Sequence, residues 1–264
     1  MVESALFHIG RPFYALLGLV ESVGRFFIFQ LALVPLFFRR PFRGGLILRQ
    51  MEAIGASSLL VVGLTAVFTG MVMAIQLYVA FHKFGAEELM GYAIFLAIGR
   101  ELGPVFTALM IISRAVSAMS AELGTMRVSE QIDAIEVLSV DSRHYLMIPR
   151  IWATIIAMPL LVMFFDVVAN VGAYVLATQA LDVNPTAYMR TVYQYAEMGD
   201  FMQGFVKGMV FGLVVSAIGT YVGYHASGGA KGVGLATTQA VVVASVALFL
   251  TNYFLSSLFL LLDW

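Results

Sequence analysis

Residues 113–150 read S-R-A-V-S-A-M-S-A-E-L-G-T-M-R-V-S-E-Q-I-D-A-I-E-V-L-S-V-D-S-R-H-Y-L-M-I-P-R. Arg114, Glu122, Arg127, Glu130, Asp133, Glu136, Asp141, Arg143 and Arg150 fall inside this stretch, with the titratable His144. The segments on either side are long and almost uncharged. Leu89 to Ile112 precedes it and Ile151 to Leu181 follows it, each long enough to cross a bilayer. A polar, helix-compatible stretch between two greasy spans is exposed to water and available to a partner there.

Composition sets the same frame. The 264 residues are 61% hydrophobic and only 12% charged, with mean hydropathy +0.91. A water-soluble domain carries about a quarter charged residues, so this chain reads as an all-α integral membrane protein. Its net charge of −1, without any basic block, argues for no nucleic-acid partner. The absence of cysteine excludes disulfides, thiolate metal sites and cysteine nucleophiles. The four histidines, His8, His82, His144 and His225, are scattered without metal-ligand spacing. No G-x-x-x-x-G-K-[ST] loop is present, so ATP hydrolysis belongs elsewhere. No metal, cofactor or catalytic residue is assigned.

Three further uncharged or nearly uncharged runs complete the pattern: Ala53–Phe81, Gly204–His225 and Leu235–Leu262. Residues 13–38 are apolar but interrupted by Glu21, Arg25, Gln30 and Pro35. The longest clean piece there, Phe26 to Phe38, is about half a span. With arginines on both flanks it predicts a helix lying in or dipping into the interface. The expected architecture is therefore an N-terminal interfacial segment (1–50), then five transmembrane helices (51–264). A polar coupling loop at about 114–150 separates spans two and three. No leader with a basic n-region and cleavage site is evident, so the first span is expected to act as the insertion signal.

Loop arginines and lysines set the orientation. Eleven fall on the side of the N-terminus and the central stretch. Three, Lys83, Arg190 and Lys207, fall on the other. That assigns the N-terminus to the cytoplasm and the C-terminus to the far side.

Arg100 and Glu101 lie in the middle of the second span. An arginine there costs about 2.5 to 3.5 kcal/mol on insertion scales. Adjacent helical residues point about 100° apart, so each needs its own partner: another span, a polar cavity or a ligand head group. An ion pair with Asp166 is the structural alternative. A guanidinium also matches a phosphate bidentately. Gln76, Leu77 and Tyr78, among methionines and aromatics late in the first span, suit a cavity for varied acyl chains or ordinary packing. Asp166 and Asn170 share a face and read as polar glue between helices. Gly212, Ser216 and Gly219, or Ala236, Ala240 and Ala244, would permit close approach of a second copy.

In the central stretch, Val128, Ile132, Ile135 and Leu138 recur as one apolar stripe. Glu122, Met126, Glu130, Asp133 and Val137 run beside it. Arg127 is spaced to pair with Glu130.

The run A-E-L-G-T-M-R-V-S-E-Q-I-D-A-I-E-V-L-S-V-D (121–141) resembles the permease subunits of the MlaE (YrbE) family. V-F-T-G-M-V-M-A-I-Q-L-Y (67–78), R-E-L-G-P (100–104) and G-V-G-L-A-T-T-Q-A-V-V (232–242) agree in order and spacing. Ser142 stands where proline is expected. The resemblance implies an ABC permease moving phospholipids between the bacterial inner membrane and a periplasmic MCE-domain hexamer. It implies a homodimer, separate cytoplasmic ATPase subunits and a STAS-like regulatory subunit. Lipid contact is expected at Gln76, Leu77, Tyr78, Arg100 and Glu101. ATPase coupling is expected at Glu122, Arg127, Glu130, Gln131 and Asp133. The competing class is an intramembrane lipid enzyme with Glu101 as base and Arg100 as phosphate partner, which requires a second catalytic group nearby.

Overall fold

Apolar stripes along the helices divide this protein into an inside and a lipid side. The structure, a computed structural model, describes Gly18, residues 20–41 and residues 43–262. The segment read for a leader, with His8 and Arg11, and the C-terminal Trp264 lie outside the described residues. The elements in chain order are α1 (Val20–Phe38), α2 (Gly44–Ile54), α3 (Leu59–His82), α4 (Glu87–Val128) and α5 (Gln131–Val137). There follow α6 (Ser142–Leu146), α7 (Ile148–Gln179), α8 (Pro185–Tyr195), α9 (Met198–Tyr224) and α10 (Gly229–Leu261). No strand occurs among the described residues.

Six helices are long and apolar enough to cross a membrane, where the sequence predicts five spans and an interfacial segment. The sixth is α1, whose helix runs on past Arg25, with Glu21 one turn away at 3.6 Å. Its contacts fall on the ends of other spans. Phe26 and Phe29 meet Tyr221, Gln30 Nε2 donates to the Ala217 carbonyl, and Leu33 and Leu36 pack on Met147, Ile148 and Ile151. Leu60, Leu64, Phe68, Val72 and Val79 stand exposed along one side of α3, and Leu160, Met163, Val167 and Val171 along α7. Stripes of this size face lipid or a partner. The opposite faces interlock around Ile94, Ile98, Phe165 and Ala169 in one cluster and Ile111, Met158, Phe211 and Val215 in another.

α4 does not end at Ile112. Its 42 residues extend about 63 Å, twice a hydrocarbon core, so the helix is longer than one crossing needs. Within it, Ile98–Leu102 and Ile112–Val116 are π turns. Arg114 lies on this helix and donates to Ser58 Oγ (2.6 Å), fastening α4 to the start of α3.

The small residues of α9 and α10 serve the chain's own packing. A side chain at Gly212 would meet Thr154, and one at Gly219 would meet Val116. Ala236, Ala240 and Ala244 are buried. What α10 leaves outside is larger: Leu235, Val242, Val246, Phe249, Leu250 and Tyr253.

Candidate functional site

The π turn at Ile98–Leu102 lets two neighbouring charges reach one helix. Such a turn carries one extra residue, and it often marks functional positions. Arg100 Nε lies 2.6 Å and Nη2 2.5 Å from Asp200 Oδ1, at the start of α9. Glu101 Oε1 accepts from Lys207 Nζ at 2.7 Å, two turns along the same helix. Lys207 also donates to the Arg100 carbonyl and to Ser256 Oγ, each at 2.8 Å. Ser256 Oγ donates to Glu101 Oε1 (2.8 Å) and Asn252 Nδ2 to Oε2 (3.0 Å). One carboxylate therefore ties α4, α9 and α10 together.

Exposure is asymmetric in both pairs. The Asp200 side chain is 1% exposed and that of Lys207 is fully buried, while Arg100 is 34% and Glu101 45% exposed. The α9 partners anchor and the α4 charges face outward. Sequence reasoning missed both anchors. Lys207 is not a loop residue: its side chain is fully buried within α9, so it drops out of the loop count.

Asp166 is not the partner of Arg100. Its carboxyl is wedged against Gly103, where a side chain would collide with it, and its Oδ1 has no hydrogen-bond partner among the described residues. Asn170 is not glue between helices either, because its amide donates to the Asp166 carbonyl within α7 (2.8 Å). Gln76 is exposed, while Leu77 and Tyr78 are half-buried against the α3–α7 cluster. Tyr78 stacks on His82, ring centres 5.0 Å apart. No hydrogen bond or ion pair among the described residues joins these three to Arg100 or Glu101.

In the central stretch the helix stops at Val128. Glu130 takes a left-handed conformation (φ 60°) and α5 begins after it. The break splits the predicted stripe. Ile132 is buried with Leu123 and Leu146, and Ile135 packs partly against them, but Val128 and Leu138 are exposed. Arg127 pairs with Asp133 at 2.7 Å rather than with Glu130, because the break turns Glu130 away. Glu122 binds the buried Arg150 at 2.8 Å. Glu130 and Gln131 stay exposed, near Val137 at 85% and Leu138 at 75% exposure.

Ser142 explains its own departure from proline. Its hydroxyl donates to Glu136 Oε1 (2.5 Å) and shares a hydrogen bond with Tyr224 OH (2.8 Å). Asp141 caps α6 through the backbone N–H groups of Arg143 and His144. The bonds from Ser142 and Tyr224 hold the Glu136 carboxyl below the usual carboxylate range.

The family model described as Permease MlaE matches residues 47–258. A probable ABC transporter permease protein of Rickettsia bellii is 44% identical over 91% of this chain and 93% of its own length. The chloroplastic protein trigalactosyldiacylglycerol 1 of Arabidopsis thaliana is named "Protein TRIGALACTOSYLDIACYLGLYCEROL 1" and is 37% identical over 80% of this chain and 61% of its own. The intermembrane phospholipid transport system permease protein MlaE of Haemophilus influenzae is 33% identical over 81% and 82%. The chain belongs to the MlaE family of ABC transporter permeases.

Proposed function

We propose that this permease moves phospholipids, with Arg100 and Glu101 on the wall of the lipid path. The observation that carries the reading is the asymmetry of the two pairs. A purely structural intramembrane pair hides both charges, whereas here the α9 partners are hidden and the α4 charges stay open. A guanidinium already oriented by Asp200 keeps donors for a phosphate. Support for the substrate class comes from the Haemophilus relative, whose name states intermembrane phospholipid transport.

Arg100→Lys tests this. It retains a cation for Asp200 and loses the guanidinium fork. Phospholipid per chain, counted by mass spectrometry after purification, is expected to fall with an unchanged thermal midpoint. Unaltered lipid occupancy in Arg100→Lys and Glu101→Gln alike would overturn the proposal.

The exposed Glu130, Gln131, Val137 and Leu138 form the surface for a separate ATPase subunit, while the Arg127–Asp133 and Glu122–Arg150 pairs hold it in shape. In the bacterial inner membrane the central segment faces the cytoplasm. α1 lies along the cytoplasmic ends of α7 and α9, in keeping with its contacts there, and the C-terminus is periplasmic. A second copy covers the outer face of α10. An MCE-domain hexamer above and a STAS-like subunit on the ATPase complete the assembly. The enzyme reading gains nothing from the site: Lys207 donates to Ser256 instead of taking its proton.

A further inference from the structure

We infer a second amphiphile site, for a phosphate-bearing head group with its acyl chain, in the cavity between α1, the end of α9 and the start of α10. The cavity measures about 570 Å³, within the range of roughly 300–1,000 Å³ typical of small-molecule sites. It is separate from the Arg100 site. His225, on its wall, lies about 27 Å along α9 from Lys207 at the helical rise.

The walls divide by chemistry. Arg25, His225, Ser227 and Gln239 supply polar groups, Phe29 and Leu235 apolar ones, and no carboxylate among the described residues lines the cavity. Arg25 has one ion-pair partner among the described residues, Glu21 at 3.6 Å, and both side chains are exposed. Such a pair is weak, so the guanidinium keeps donors for a phosphate. His225 Nδ1 stands 2.8 Å from the Tyr221 carbonyl. A carbonyl only accepts, so Nδ1 carries the hydrogen and the ring serves the cavity as an oriented wall, not as a phosphate donor.

Phe29 and Tyr221 hold the ring, with centres 5.0 and 4.4 Å from it. Ser227 and Gly232 bracket the first turn of α10, where the N-cap Gly228 provides no side-chain acceptor. The helix dipole there adds to the positive field. A guanidinium with hydroxyl and amide donors around a space of this volume, beside apolar surface on membrane helices, suits an anionic phospholipid. Which leaflet holds it rests on the orientation proposed above; the site itself does not.

The test uses the full chain in phosphatidylcholine nanodiscs doped with photoactivatable phosphatidylglycerol, with adducts mapped by peptide. Adducts are expected on residues 22–29 and 221–239. They should fall several-fold in Arg25→Gln/Gln239→Leu, whose two positions are exposed and tolerate change. Arg100→Lys should leave these adducts intact while reducing any near Arg100, so the two sites succeed or fail separately. Missing adducts, or adducts indifferent to Arg25→Gln/Gln239→Leu, overturn the site. Complete displacement by inorganic phosphate would make it a free-phosphate site, and crosslinks between copies through this cavity would make it a protein contact; either overturns the lipid assignment.

Discussion

Asp200 binds Arg100 with one carboxylate oxygen and caps its own helix with the other. Oδ1 takes Nε and Nη2 of Arg100 at 2.6 and 2.5 Å, while Oδ2 accepts the backbone N–H of Glu197 at 3.0 Å. Glu197 and Asp200 form a capping box at the start of α9. The ion pair thus fixes the π turn of α4 to the first turn of α9. Removing the cation leaves a buried anion.

Arg100→Ala is therefore expected to destabilise by about 3 to 5 kcal/mol, the cost of breaking a buried pair on one side. Arg100→Ala/Asp200→Asn should recover much of it, because the asparagine oxygen can still accept the Glu197 N–H in the capping box and the side chain carries no charge. Thermal midpoints in one detergent decide the matter. A double variant as unstable as the single would show that Asp200 is not the partner that matters.

The Glu101–Lys207 pair should respond unequally to its two halves. Glu101→Gln strands a fully buried ammonium, whereas Lys207→Met strands a carboxylate that is 45% exposed and keeps Ser256 and Asn252 as donors. Burying an unpaired charge is the costlier error. Glu101→Gln should lower the midpoint more than Lys207→Met, and the reverse order would refute the burial argument.

Gly103 makes room for Asp166, and Gly204 for the backbone of α4. A side chain at Gly204 would strike the Gly99 carbonyl, which is backbone; one at Gly103 would strike the Asp166 carboxylate, which can be removed. Gly204→Ala should separate α9 from α4 and reduce folded yield. Gly103→Ala should do the same, with rescue by Asp166→Ala that Gly204→Ala does not receive. Size-exclusion profiles of the four proteins check this.

Hydropathy made the long spans legible, because an uncharged run of twenty or more residues has few other uses. It did not show that the second span and the start of the central stretch form one helix, α4, running through Arg114 to Val128. Arg100 and Glu101 stood out by their cost, yet their partners did not. Lys207 lies close to the polar end of its run and reads as a loop cation until Asp200 and Lys207 are seen seven apart on one helix face. The Glu130 turn was equally hidden: glutamate at positive φ has no sequence signature, so the stripe through Leu138 looked continuous.

The exposed coupling surface gives a charge-reversal prediction. Glu130→Lys, at a residue without an ion pair among the described residues, is expected to leave the fold intact and to weaken ATPase association. Asp133→Lys also breaks the Arg127 pair, so it should loosen α5 as well. Co-purified ATPase with full lipid-stimulated hydrolysis in Glu130→Lys would rule this surface out.

The last expectation concerns acid. Glu136 anchors α5 to α6 and α9 through Ser142 and Tyr224, and those bonds hold its carboxyl below the usual carboxylate range. A depressed value means the folded state favours the anion, so the contribution is present above the unfolded carboxyl's value. It is lost as pH falls through the lower, folded one. Hydrogen exchange across residues 131–141 should accelerate over that acidic window in the native chain. In Glu136→Gln the exchange should be faster already at neutral pH and show no step. Ser142→Ala removes the shorter of the two hydrogen bonds to Glu136, so its step should move toward higher pH. An acid step that persists in Glu136→Gln would assign the titration to another group and refute the role given to Glu136.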